Sequence, residues 1–108
     1  MKGLVYIGKD LIGHSDLRII DESMGVISGE LETTTLYHQY QFKIQEHCNE
    51  KGISNSQDFP YRMLMNEKEL QPEGGIGITD IPGLAEISVE AGGLDLDTME
   101  ILRQEAAG

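Results

Sequence analysis

The sequence has a single cysteine, no base between Lys68 and Arg103, and no apolar run near the ~18 residues a membrane-spanning helix needs. Each shortage removes a class of protein. Cys48 alone makes no internal disulfide, so the chain fits a reducing compartment, and the cytoplasm is the expected location. The apolar stretch after Lys2 is interrupted by Lys9 and Asp10, too early for a signal-peptide core. No Asn-x-Ser/Thr acceptor, internal repeat or low-complexity tract is present.

What is present is acid. Nineteen Asp and Glu stand against eight Lys and Arg, a net charge of −11 over 108 residues. Residues 1–54 carry five bases and eight acids, and residues 55–108 carry three bases and eleven acids. Such a field repels nucleic-acid phosphate and anionic lipid and steers basic partners inward. The bland reading is solubility alone. Leu, Ile, Val and Phe form about a quarter of the chain, above the level expected of disordered segments. One domain, 1–108, is expected, with 104–108 frayed.

Leu4–Ile7 reads as a short strand, with Gly8 and Gly13 bracketing an irregular connection. Asp16–Ile20 and Gly25–Leu31 read as a hairpin turning at Asp21-Glu22-Ser23-Met24. Over Thr34–Lys51 the period becomes helical, gathering Leu36, Tyr37, Tyr40, Ile44, His47 and Cys48 on one stripe. His38, Gln45, Glu46, Asn49 and Glu50 fall opposite, and Phe42 lies off the stripe. A threonine among Thr33–Thr35 is expected to cap this helix, and Gly52 to end it, with Ile53 packing back over its last turn.

Tyr61–Met65 and Gly75–Ile81 read as strands, with a turn at Asn66–Lys68. Ala85–Ala91 alternates an apolar row with Glu86, Ser88 and Glu90. Asp95 or Asp97 is placed to cap a short C-terminal helix. The sum is an α+β domain, an antiparallel or mixed sheet of five to six strands packed on one long helix at about 34–51. Hairpin, helix, further strands and then Gly92-Gly93 resemble the ubiquitin-like β-grasp order over about Asp16–Gly93. The resemblance implies an adaptor or carrier, although such a modifier ends at its double glycine and here fifteen residues follow Gly93.

Chemical motifs fail one by one. Gly3-x-x-x-x-Gly8-Lys9 lacks the following Ser or Thr, and Asp10 stands there instead. Gly75-x-Gly77-x-x-Asp80 replaces the third glycine of a dinucleotide loop with an acid. His14, Ser15 and Asp16 are consecutive, which opposes a relay and suits a turn. His38, His47 and Cys48 lack the spacing of metal ligands. Asp95-x-Asp97 opens like a calcium loop but has Glu100 where glycine is required. No catalytic residue, cofactor or metal ligand is assigned.

The expected function is therefore a non-enzymatic, acidic protein-interaction module, of the immunity or antitoxin type, that inhibits a basic protein partner. Its contact residues are expected to be Glu86, Glu90, Asp95, Asp97 and Glu100, with Phe42 as apolar anchor. The alternatives are a β-grasp-like adaptor and a small carboxylate-based enzyme with His14 as proton carrier. A homo-oligomer sealed by Phe42 and the row Tyr61, Met63 and Met65 is a further option.

Overall fold

Turns at Gly8-Lys9 and Glu22–Gly25 fold the first part of the chain into a meander. A computed structural model describes residues 1–107. β1 (Lys2–Ile7) turns at Gly8-Lys9 into β2 (Asp10–Asp16), so the segment expected to be irregular is a strand. A register shift between Val5 and Tyr6 makes Ile12 an extra residue on β2. That bulge buries Ile12 and Gly13 in succession and erases the alternation by which a strand is recognised.

β3 (Arg18–Asp21) and β4 (Val26–Thr33) form the expected hairpin. The Asp21 carboxylate shapes its turn by accepting hydrogen bonds from Ser23 Oγ (2.8 Å) and the Met24 amide (3.1 Å).

The helical segment begins as a tight turn at Thr35–Tyr37 and continues as α1 (His38–Lys51). The expected threonine cap is not made. Thr34 Oγ1 donates instead to the Leu11 carbonyl at 2.6 Å, tying the helix entry to β2. Gly52 closes the helix in the left-handed region (φ 90°), its amide donating to the Cys48 carbonyl at 2.8 Å. Ile53 packs over Gly77.

After α1 come β5 (Ser54–Asn55), β6 (Tyr61–Met65), β7 (Lys68–Glu69), β8 (Gly75–Thr79), β9 (Ser88–Gly92) and α2 (Leu96–Ala107). Residues 104–107, expected to fray, continue α2, and Gly108 lies outside the described residues.

The nine strands form one antiparallel sheet in the order β5-β8-β9-β4-β2-β1-β6-β7, with β3 pairing beside β4. Five to six strands were too few, because β2 hid behind its bulge and two-residue pairings carry no periodic signal. Two further strands precede the β3–β4 hairpin and helix and join the same sheet, so the β-grasp order describes only part of the chain.

The sheet curls until its ends approach, and Ser54 Oγ of β5 meets Tyr61 Oη of β6 at 2.7 Å. Its concave side holds Val5, Ile12, Ile27, Met63, Ile78 and Val89, against which the tight turn sets Tyr37 and α1 sets Ile44 and Cys48. Met99 and Leu102 of α2 complete this core. Tyr61, Met63 and Met65 are buried within the core and offer no face to a second copy. No helix among the described residues is long and apolar enough to cross a membrane.

Candidate functional site

The acidic residues singled out from the sequence fall on two separate parts of the surface. Glu90 projects from β9, whose register sets it opposite Ser28 of β4, while Ser88 lies opposite Glu30. Because alternate residues share a face, Glu90, Ser88, Ser28 and Glu30 lie on the convex side of the sheet. Glu86, in the approach to β9, is exposed beside them. The strand expected over Ala85–Ala91 begins only at Ser88, although the Leu31 amide already donates to the Ile87 carbonyl at 2.7 Å.

Asp95, Asp97 and Glu100 belong to the other part, at the start of α2. Asp95 caps that helix, its carboxylate accepting the Thr98 amide at 2.7 Å. Hydrogen bonds from Thr98 hold this carboxyl below the usual range. Glu100 is paired with Arg103, which also reaches Glu22 at 2.9 Å. Among the described residues, Glu73, Glu86, Glu90, Asp95 and Asp97 have no cationic partner. Phe42 stands 73% exposed on α1, apart from both groups in the chain's element order.

A depression of about 560 Å³ lies on the convex face beside Glu86. Lys2, His14, Arg18, Glu30 and Glu32 also border it, and it opens broadly to solvent. His14 and Glu32 are cross-strand partners, with Nε2 and Oε2 3.2 Å apart. Ser15 follows His14 on a strand and so turns to the other face, where its Oγ is buried without a hydrogen-bond partner. Asp16 pairs with the N-terminal ammonium at 2.7 Å. The three consecutive residues therefore meet three different environments and form no relay, and β2 replaces the turn expected there.

The residue that sequence reasoning missed is Asp80. Expected with the solvated acids, it is only 2% exposed just beyond β8. Its carboxylate accepts hydrogen bonds from Tyr37 Oη (2.6 Å), Gln41 Nε2 (3.2 Å) and Gln45 Nε2 (3.2 Å). The Asp80 amide donates to Cys48 Sγ at 3.4 Å, and that thiol donates onward to the Ile78 carbonyl. Burial, then the hydrogen bond and charge of Asp80, push the Tyr37 hydroxyl well above the ordinary tyrosine range.

Tyr37, Gln41 and Gln45 recur every four residues, which sets them in a row along one side of α1. The spacing names no partner for the row, and Gln45, expected on the solvent side, turns to Asp80 instead. With four neutral neighbours this carboxylate is a structural clamp between helix and sheet.

His38 is exposed, and His47 lies 3.5 Å from Asp58, which Lys51 also contacts at 2.9 Å. Gly92-Gly93 is tied into the fold, with their carbonyls accepting from Gly74 (2.9 Å) and Glu73 (3.2 Å). Among the described residues no group of three or more His, Cys, Asp or Glu side chains is disposed to hold a metal ion. No family model, curated protein or solved structure matches the chain.

Proposed function

We propose that this protein is a non-enzymatic, acidic interaction module that binds and inhibits a basic protein, in the manner of an immunity or antitoxin protein. The observation that carries the reading is the set of exposed carboxylates without cations, Glu73, Glu86, Glu90, Asp95 and Asp97. Uncompensated surface charge raises the encounter rate with an opposite field, and carboxylates can occupy a site built for phosphate. Affinity capture from native lysate, repeated at low and high salt, tests it. A basic protein retained at low salt and released at high salt is the expected result. Retention indifferent to salt, or recovery of neutral and acidic proteins alone, contradicts it.

A second reading, a small carboxylate-based enzyme, is favoured by one feature. The His14–Glu32 pair borders a depression that Glu30 and Glu86 also line, so a proton carrier and spare carboxylates share one open surface. Replacing His14 by alanine would abolish a hydrolytic activity that depends on it. An unchanged rate removes that residue from the chemistry.

A further inference from the structure

The β3–β4 turn is stitched to the segment leading into α2. The Gly93 amide donates to the Met24 carbonyl at 3.2 Å, and the Leu94 amide to the Gly25 carbonyl at 3.1 Å. Gly25 sits at φ 67°, and any side chain there would collide with the Leu94 backbone, so the approach requires glycine. This seam brings two large apolar side chains to one surface, Met24 at 66% exposure and Leu96 at 81%.

Two adjoining depressions of about 760 and 430 Å³ share Ser23 and Leu96 as walls and so form one groove. Its floor includes the buried side chains of Leu94 and Met99. Its rim is acidic. Glu73 and Asp95 line one half without cationic partners, and Asp97 follows Leu96 in the first turn of α2. At the other half Arg103 is the one lining cation, and it is shared between Glu22 and Glu100. Asp95 and Asp97 also offset the positive end of the α2 dipole, which would otherwise oppose a cation.

An apolar centre within a charged rim is the anatomy of a protein-binding patch, and the sign of the rim selects the partner. A second copy of this chain would bring the same acidic rim against itself. We infer that the groove docks a basic polypeptide segment, seating an apolar side chain between Met24 and Leu96 while flanking lysines or arginines face Glu73, Asp95 and Asp97. The inference rests on the basic-partner reading and narrows it to one surface.

The test uses a short labelled peptide alternating lysine and leucine, with an oligolysine of equal charge beside it. Binding is followed by fluorescence anisotropy and by amide chemical shifts of the full chain. The lysine–leucine peptide is expected to bind more tightly than oligolysine and to shift amides at Ser23–Gly25 and Leu94–Met99. Met24→Ser with Leu96→Ser, both at exposed positions, should weaken it by about tenfold or more, as loss of central anchors does. Glu46→Gln with Glu50→Gln, on α1 and away from the groove, should change it by less than about twofold.

Shifts confined to the sheet around Glu90, or equal binding of both peptides, overturn the groove while leaving the basic-partner reading standing. Failure of every cationic probe to bind overturns both. Self-association through Leu96 in the absence of peptide assigns the groove to a second copy and overturns the inference.

Discussion

Asp80 shows how one side chain fixes the relation of helix to sheet. A carboxylate removed from water is tolerated only when donors replace its hydration, and Tyr37, Gln41 and Gln45 supply them. Tyr37→Phe should therefore lower the unfolding free energy by about 1.5–3 kcal/mol, the worth of a hydrogen bond to a charged group. Urea unfolding of the two proteins checks this. A midpoint equal to that of the parent would mean that the clamp is not made.

Glu67 shows the converse, a residue the backbone disfavours. The β6–β7 turn places Asn66 and Glu67 at φ 52° and 66°, where asparagine is tolerated and glutamate is strained. Glu67→Gly converts the pair to the Asn-Gly that such two-residue turns prefer. It should stabilise the fold by about 1 kcal/mol, visible as a raised thermal midpoint.

Elements with a regular period or a clear turn were legible in the sequence. The helix through Lys51 and the buried row of β6 follow periods of 3.6 and 2, the β3–β4 hairpin was marked by its turn residues, and each lies where it was expected. The bulge on β2 broke that period, and β5 and β7 are too short to have one. Asp80 was illegible for a different reason. Its burial depends on Tyr37, 43 residues away in sequence, and local pattern carries no long-range pairing. The candidate contact acids were legible as exposed residues, but their division between the convex face and the start of α2 arose only from the fold.

Two further predictions belong to the elements. Asp95→Ala removes the α2 cap and should lower the thermal midpoint while raising amide exchange at Thr98 and Met99. Asp58 ties the end of α1 to the β5–β6 loop, accepting from Lys51 Nζ and the Asn55 amide at 2.9 Å each. Burial pushes its carboxyl up. The Lys51 hydrogen bond, the Asn55 amide and the charges of His47 and Lys51 outweigh that and hold it below the usual range.

A depressed folded pKa adds stability that is complete above the unfolded value, about 3.9, and is lost as pH falls through the folded one. Asp58→Asn should therefore destabilise at neutral pH, and the gap to the parent should close below about pH 4. A gap that stays constant from neutral to acid pH would remove the ion-pair explanation.

At the scale of the molecule, a net charge of −11 works for encounter and against compaction. Salt bridges reach few of the acids of the second half, and the convex face and the α2 groove both present carboxylates outward. Interior order is supplied by the apolar concave side of the sheet and by a buried acid of that half, the Asp80 clamp. Stability is thus held inside, separate from the recognition proposed for the exterior field.

Association kinetics of the captured basic partner test that separation most directly. Raising salt from about 0.1 M to about 1 M shortens the screening length from ~10 to ~3 Å. The on-rate should then fall steeply while the off-rate changes little, and the thermal midpoint of the free protein should not fall, because the same salt screens its self-repulsion. An on-rate that holds constant across that range would contradict the claim that this surface recognises its partner by charge.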